Sequence, residues 1–254
     1  MAVRIAIANQ KGGVGKTTTT IELATSLKKA GNRVLVIDFD QQSNLSMYSE
    51  ALNNCGIFEV LNADVTIDEA IQRTPYYDII SAKADLSRAE RLFMDYKDAY
   101  LLDEVLKFID TEYDFVLIDN SPNRGVLLQM SYIASDYVII PSEADDGSVE
   151  GIRQIIKDLK EIGRLSHAKV AAIILNKYEN TNTHMLGKEN IEALAQQETS
   201  DAKVYIVRKS IKASEAKILR EPIQVHEPYS STARDFEKIG KEIAKICKED
   251  IKHE

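Results

Sequence analysis

The fold class of this 254-residue chain is decided by the stretch Lys11-Gly12-Gly13-Val14-Gly15-Lys16-Thr17. It has the glycines and the Lys-Thr pair of the phosphate-binding loop G-x-x-x-x-G-K-[ST], but Gln10 stands where that motif has its first glycine. The variant pattern K-G-G-x-G-K-[ST] fits throughout, and its chance occurrence in such a chain is on the order of one in ten thousand. The stretch therefore predicts a phosphate-binding loop with one additional lysine, Lys11.

The segments on either side of the loop support this prediction. Residues 3–9 form a β-rich apolar run, and a helical pattern begins at Gly15. In a strand–loop–helix unit of this kind, the loop N–H groups and the helix N-terminus stabilise a bound anion. We therefore expect Lys16 to contact the β- and γ-phosphates of a nucleotide, and the Thr17 hydroxyl to ligate Mg²⁺.

Further apolar runs have the length and composition of buried parallel strands, and helical patterns separate most of them. These runs are residues 33–38, 77–81, 115–119, 137–141, 170–176 and 204–207. The alternation predicts an α/β fold: a doubly wound, mostly parallel twisted sheet with helices on both faces, in a single domain spanning residues 1–254. We expect a polar loop over residues 179–186, and a last helix over residues 232–248 that packs on the core.

Composition narrows the class of protein. A content of 44% hydrophobic residues is ordinary for a globular chain, and Cys55 and Cys247 lack the spacing of a disulfide framework or a zinc site. No apolar run approaches the ~18 to 20 residues of a membrane span, so we expect a soluble, cytoplasmic protein.

The net charge of −8 disfavours nucleic-acid binding, but residues 151–220 hold 13 Lys and Arg against 8 Asp and Glu. A local basic surface is therefore compatible with the acidic total.

Carboxylates follow two of the predicted strands. Asp38 and Asp40 come at the end of the second strand, and Asp119 ends the run Phe115–Asp119. Because the carboxyl ends of parallel strands meet at one edge of the sheet, these side chains are expected beside the glycine loop. P-loop enzymes use an aspartate in the position of Asp119 to hold Mg²⁺ through its waters.

With Lys11 in the loop, the sequence resembles the ParA/MinD group of P-loop ATPases. The resemblance implies that Lys11 reaches across a dimer to the nucleotide of the other subunit. Residues 38–44 resemble the D-x-D-P-Q-x-N segment of the family, which implies that Asp40 orients the attacking water and the water shell of the metal. Gln41 replaces the proline of that segment, and Asn120 departs from the usual residue after Asp119.

Two later segments extend the resemblance. Residues 173–178 resemble the strand whose asparagine, here Asn176, hydrogen-bonds adenine. Residues 206–222 resemble the I-P-R … S-E-A … P-I segment that closes the base pocket with Arg208 and carries DNA-contacting basic residues, although Val207 replaces its proline. By position, the candidates for contacts with the phosphate backbone of DNA are Lys212, Lys217 and Arg220.

These arguments together predict three overlapping sets of site residues. The ATP-binding set is Lys11, Gly12, Gly13, Val14, Gly15, Lys16, Thr17, Thr18, Asn176 and Arg208. The metal set is Thr17, Asp40 and Asp119, and the catalytic set is Lys11, Lys16 and Asp40. The predicted cofactors are ATP and Mg²⁺.

The resemblance implies an ATPase that acts in DNA partition of a plasmid or chromosome. Its ATP-bound homodimer would bind nonspecific double-stranded DNA, associate with the nucleoid and hydrolyse ATP slowly until a ParB-like partner stimulates it; no membrane is expected. Three alternatives stay open at this point. They are a MinD-like membrane-cycling ATPase, a metabolic enzyme on the same scaffold, such as a carboxylase or an iron–sulfur carrier, and a nucleotide-driven polymer.

Overall fold

The computed structural model describes residues 1–51, 55–199 and 201–250. Its centre is an eight-stranded sheet in the order β3-β4-β2-β5-β1-β6-β7-β8. The strands are β1 Val3–Ile7, β2 Val34–Phe39, β3 Ile71–Arg73, β4 Asp78–Ile80, β5 Phe115–Asn120, β6 Tyr137–Ser142, β7 Lys169–Tyr178 and β8 Lys203–Arg208. All neighbouring strands pair in parallel except β3 and β4. The predicted α/β class and mostly parallel sheet are confirmed.

The helices cover both faces of the sheet. They are α1 Lys16–Lys29, α2 Asn44–Tyr48, α3 Ile57–Leu61, α4 Ile67–Ala70, α5 Ala89–Leu92, α6 Leu101–Leu106, α7 Val126–Ile133, α8 Asp146–Glu161, α9 Asn182–Glu198, α10 Lys212–Leu219, α11 Ile223–His226 and α12 Ser231–Asp250. Single 3₁₀ turns occur at Ala84–Arg88, Tyr96–Tyr100 and Lys107–Ile109. No helix in these described ranges has the length and apolarity needed to span a membrane.

The strands read as continuous apolar runs because both of their faces are buried. Ile5 and Ile7 of β1 pack in the core beneath α1 and α12, whereas Ala6 and Ala8 pack in the core beneath α7, α8 and α9. Successive side chains of a strand point to opposite faces, so burial on both sides removes the polar alternation of a half-exposed sheet.

One strand of the sheet was not predicted from the sequence. β3 has three residues, Ile-Gln-Arg, follows α4 directly and pairs antiparallel with β4 at the edge of the sheet. Its side chains are half-buried or exposed, so no apolar run marks it.

The expectation of a polar loop over residues 179–186 was wrong. Helix α9 begins at Asn182, because the Thr181 side chain caps it by accepting a hydrogen bond from the backbone N–H of His184. A polar sequence hid this start, since the capping residue and the first turn are themselves polar.

The last helix packs on the core as predicted. Its buried stripe is Ala233, Phe236, Ile239, Ile243 and Cys247, and it lies against α1. The stripe is therefore covered by the protein's own P-loop helix.

The order of the strands places the site. The chain passes from β1 to β2 on one side of β1, and from β5 to β6 across to the other side. In open α/β sheets, ligands bind at the carboxyl ends of strands where the direction of winding reverses in this way. The glycine loop follows β1 at this point, with the ends of β2 and β5 beside it.

A buried carboxylate links α1 to the segment that follows α10. The Glu22 side chain is 1% exposed and accepts hydrogen bonds from the backbone N–H groups of Ile223 and Gln224, at 2.6 and 3.2 Å. The Gln224 side chain donates in turn to the Glu22 backbone carbonyl at 2.6 Å. Burial raises the pKa of Glu22 to about 7, although these hydrogen bonds partly oppose the shift.

We expect Glu22→Gln to remove part of the pH dependence of stability. Because the pKa of Glu22 is higher in the folded than in the unfolded chain, this group stabilises the fold fully below pH 4.5, and the contribution is lost as pH rises through about 7. Between pH 5 and pH 8, the free energy of unfolding of the wild type should therefore fall by about 2 to 3 kcal/mol more than that of the variant. Urea unfolding of the nucleotide-free proteins at both pH values tests this, and parallel pH profiles would contradict it.

Candidate functional site

The glycine loop between β1 and α1 needs its glycines for different reasons. Gly13 and Gly15 have left-handed backbone angles, with φ of +78° and +93°. A Cβ atom on Gly15 would lie 2.8 Å from the side-chain nitrogen of Asn176, so this position excludes a side chain by contact as well. The start of the loop is anchored by Asn9, which accepts from the Lys11 N–H at 2.9 Å and donates to the Pro141 carbonyl at 2.7 Å.

Lys16 points into the mouth of the loop and is 8% exposed. Its ammonium donates a long hydrogen bond, 3.4 Å, to the Lys11 carbonyl. Burial lowers the pKa of Lys16, while the negative charges of Asp119 and Asp40 partly oppose that effect. A buried cation at the N-terminus of a helix is a binding site for an anion, which would compensate for the water that the ammonium has lost.

Asp119 lies beneath the loop and is 1% exposed. Its Oδ1 accepts from the Thr20 hydroxyl at 3.0 Å. Burial, followed by the charge of Asp38, raises the pKa of Asp119 to about 7, although Thr17, Thr20 and Lys16 lower it in part. A divalent cation would favour the ionised form.

The predicted metal set is compatible with Mg²⁺ in its chemistry. Thr17, Asp40 and Asp119 offer oxygen donors only, as Mg²⁺ prefers, and leave most coordination positions to phosphate and water. Among the described residues no group of three or more His, Cys, Asp and Glu side chains gathers as in an all-protein metal site.

The structure gives Asp38 and Asp40 different roles. Asp38 is fully buried and accepts from the Asp40 N–H and from both the N–H and hydroxyl of Ser46, at 3.1, 2.8 and 2.6 Å. Burial raises the pKa of Asp38 to about 6 against these hydrogen bonds. Asp40 is half-buried, and its carboxylate accepts from the Gln42 N–H at 2.9 Å. Asp38 therefore holds the turn in place, and Asp40 is the carboxylate left near the mouth of the site.

Residues 120–124, at the end of β5 and just after it, depart from the family pattern, but hydrogen bonds hold both ends of this segment. The Asn120 side chain donates to the Ile7 carbonyl at 3.2 Å, which joins the end of β5 to the end of β1. Arg124 pairs with both carboxylate oxygens of Asp158 at 2.6 and 2.8 Å, and Gln10 donates to the same carboxylate at 3.1 Å. Asp158 of α8 thereby links the start of the glycine loop to the segment after Asp119.

The Lys11 side chain extends from the glycine loop to the start of α8, where Asp145 lies. Its ammonium lies 2.5 Å from the Asp145 carboxylate, and the two side chains are 43% and 39% exposed. No pattern in the sequence indicated this partner. Partial burial of Asp145 favours its neutral form, but hydrogen bonds from Lys11 and Ser148 outweigh it and lower its pKa. Asp145 also caps helix α8 through Ser148.

Asn176 supports the loop from the end of β7. Its side-chain nitrogen donates to the Val14 carbonyl at 2.8 Å and to the Thr19 hydroxyl at 3.2 Å, and the residue is 6% exposed. This role in the loop was not foreseen, and the contact with adenine stays a prediction. Arg208 ends β8 and pairs with Asp235 at 2.7 Å.

The three candidates for DNA contacts lie on or next to α10. Lys212 pairs with Glu215 and Glu227 at 2.9 and 3.3 Å, and Arg220 pairs with Glu50 at 2.7 Å. Lys217 is exposed on the same helix. The structure therefore brings these bases together on one helical segment, with two of them paired to carboxylates.

Comparisons with known proteins agree with this geometry. The family model described as an AAA domain matches residues 2–172. The chain is 30% identical over 248 residues to the chromosome-partitioning ATPase Soj of Treponema pallidum, covering 96% of this chain and 97% of that protein.

Two solved structures match as well. A putative plasmid partition protein of Borrelia burgdorferi bound to AMPPNP is 26% identical, with a TM-score of 0.78 over 94% of this chain and 99% of that one. Cobyrinic acid a,c-diamide synthase of Mycobacterium smegmatis, bound to ADP and magnesium, has a TM-score of 0.81 over 95% and 93% of the chains. At 24% identity, this second likeness shows the shared fold alone.

Two variants of Asp145 separate its two contacts. Asp145→Ala removes both the partner of Lys11 and the cap of α8, and it should destabilise the chain by about 1 kcal/mol. Asp145→Ser also removes the carboxylate, but serine caps a helix well, so stability should change by less than about 0.5 kcal/mol. Both variants should raise the rate at which an amine-reactive reagent labels Lys11, as read by mass spectrometry. Unchanged labelling in both would show that the ion pair does not hold Lys11 in solution.

Proposed function

This chain belongs to the ParA/Soj family of P-loop ATPases, and we propose that within it the protein is a dimerising switch for DNA partition. It is an ATPase. In the proposed cycle ATP joins two copies, the dimer binds DNA without sequence preference, and a ParB-like partner stimulates hydrolysis. The dimer would be associated with the nucleoid and the released monomer would be cytoplasmic. The relatives' names as chromosome partitioning proteins support this assignment.

ATP and Mg²⁺ fit the site described above. Lys16 would neutralise charge on the β- and γ-phosphates, and the N–H groups of Gly12 to Thr18 would surround them. Thr17 and Asp119 would hold Mg²⁺ directly and through water, and the ion supplies positive charge against the phosphate oxygens. Asp40 would orient the attacking water.

The observation that carries the dimer is the position of Lys11. Its ammonium lies at the start of α8 and is held by a single, half-exposed carboxylate. Ion pairs with such exposure contribute at most about 1 kcal/mol, because water and salt screen them. The triphosphate of a second copy carries several negative charges and would compete well for this amine. Dimer formation would then depend on which nucleotide is bound, because only the ATP complex makes this contact.

The basic residues on and next to α10 could also exchange their present carboxylate partners for DNA phosphates. Arg220 and Lys212 are paired with glutamates at half-exposed sites, so DNA could replace those partners at low cost. Contacts of this kind bind the backbone and do not read sequence. An acidic chain whose basic residues are paired with its own carboxylates would bind DNA weakly as a monomer. In a dimer, the contacts of the two copies would add.

Specific observations weigh against the alternatives. A membrane-cycling ATPase of the MinD kind would use an exposed amphipathic helix, but the apolar stripe of α12 is buried on α1. An iron–sulfur carrier would place cysteines beside the loop, whereas Cys247 belongs to the buried stripe of α12 and the Cys55 thiol donates to the Glu69 carbonyl. A nucleotide-driven polymer would be detected by light scattering with ATP.

Binding to random-sequence duplex DNA tests the switch. We expect retention of DNA with ATP and with a nonhydrolysable analogue, little retention with ADP, and weakening with salt. Lys11→Ala should abolish retention because the dimer does not form. Lys107→Ala, which removes the same charge from a surface pair with Asp103, is the matched control and should bind like the wild type. Equal retention in ADP would sink the proposed switch.

Single substitutions on α10 test which bases meet the DNA. Lys217→Ala and Arg220→Ala should each reduce the slope of log affinity against log salt concentration by about 1. Each should weaken binding to DNA of any sequence by the same amount. Glu50→Gln, which frees Arg220, should tighten binding in the ATP state. The measurement is fluorescence anisotropy over a salt series. If both alanine variants keep the wild-type slope, the DNA surface lies elsewhere.

A further inference from the structure

Strand β7 ends irregularly where it meets the glycine loop. In a regular strand, the side chains of Asn176 and Lys177 would point to opposite faces. Lys177 instead has a left-handed backbone with φ of +54°, and the pairing of β7 with β8 shifts register between Leu175 and Tyr178. The break in alternation lets two consecutive side chains reach the same loop.

Each of these side chains holds a different loop carbonyl. The Asn176 nitrogen donates to the Val14 carbonyl at 2.8 Å, and the Lys177 ammonium donates to the Gly13 carbonyl, also at 2.8 Å. The Lys177 ammonium is held in turn by the Glu143 carboxylate at 2.6 Å. A left-handed residue other than glycine is uncommon and unfavourable, so its presence here indicates that the contact it permits is used.

The contact with Gly13 fixes the direction of the next N–H group. A trans peptide unit is planar, so the carbonyl of Gly13 and the N–H of Val14 point in opposite directions. While Lys177 holds the carbonyl, the Val14 N–H points away from Lys177 and Glu143, to the side where a bound phosphate could accept from it. If the peptide rotated, a partly negative carbonyl oxygen would face the phosphates instead.

We propose that Lys177 is a positioning residue, which with Glu143 holds the Gly13–Val14 peptide so that its N–H faces the phosphates of a bound nucleotide. The inference rests on the proposed nucleotide binding at this loop and deepens it. Lys177 does not touch the nucleotide in this role, and it acts by ordering the loop before the ligand arrives. Because the loop meets the phosphates common to ADP and ATP, both nucleotides should depend on it alike.

The test compares nucleotide affinities of substituted proteins by calorimetry, with ADP and a nonhydrolysable ATP analogue as the probes. Lys177→Met keeps the aliphatic stem and removes the donor, so both affinities should fall about tenfold. Lys177→Arg keeps a charged donor and should recover most of the loss. Glu143→Gln leaves the donor but weakens its support, and a loss of about threefold is expected. Lys160→Met, which breaks a similarly exposed pair with Glu198, should bind like the wild type.

Further measurements distinguish positioning from general stability. For Lys177→Met, KM for ATP should rise about as much as affinity falls while kcat stays within about twofold, and the Tm without nucleotide should stay within a few degrees of the wild type. If this variant fails to fold, Lys177→Asn replaces it, since asparagine tolerates a left-handed backbone and is too short to reach Gly13.

Each outcome has a defined meaning. Wild-type affinity in Lys177→Met and Lys177→Asn, or a Tm loss that accounts for the whole effect, would overturn the role of Lys177 and leave the proposed ATPase intact. A wild-type protein that binds neither nucleotide would overturn the proposed function itself.

Discussion

The structure depends on one constraint, which is that the carbonyls of the glycine loop find their hydrogen-bond donors in other parts of the chain. Buried or partly buried carbonyls need partners, and the loop has too few residues to supply them itself. The donors are side chains from the ends of other strands and from α1: Asn176 for Val14, Lys177 for Gly13 and Lys16 for Lys11. The phosphate site is thus prepared by β7, a strand more than 150 residues away in sequence.

The charged groups beneath the loop are buried, which costs free energy, and a bound ligand would offset that cost. Asp119 and Asp38 are buried near each other with raised pKa values, and burial lowers the pKa of Lys16 beside them. Groups of this kind cluster at functional sites, because the interactions that compensate for their burial are supplied by substrate or metal. Nucleotide phosphate would pair with Lys16 and a divalent cation with Asp119, so each ligand improves the environment of a group that is unfavourable without it.

On the outer surface, nearby carboxylates neutralise positive side chains. Lys11 pairs with Asp145, and Arg220 pairs with Glu50. All four side chains are at least a third exposed, so these pairs are weak and exchange readily. An overall acidic protein can therefore carry surface cations that are only weakly neutralised. Asp158 couples the loop to the segment after Asp119.

The sequence by itself determined the fold class, the position of the phosphate loop and the carboxylates at the strand ends. These follow from local patterns: apolar runs, glycine spacing and the identity of the residue that ends each strand. The short edge strand β3 and the start of α9 lack such patterns, and the sequence analysis missed them. Only the tertiary structure showed that Asp38 is a buried support, that Asp145 holds Lys11 and that Lys177 reaches Gly13. These contacts join residues far apart in the chain, and one of them needs a left-handed backbone that no sequence periodicity reveals.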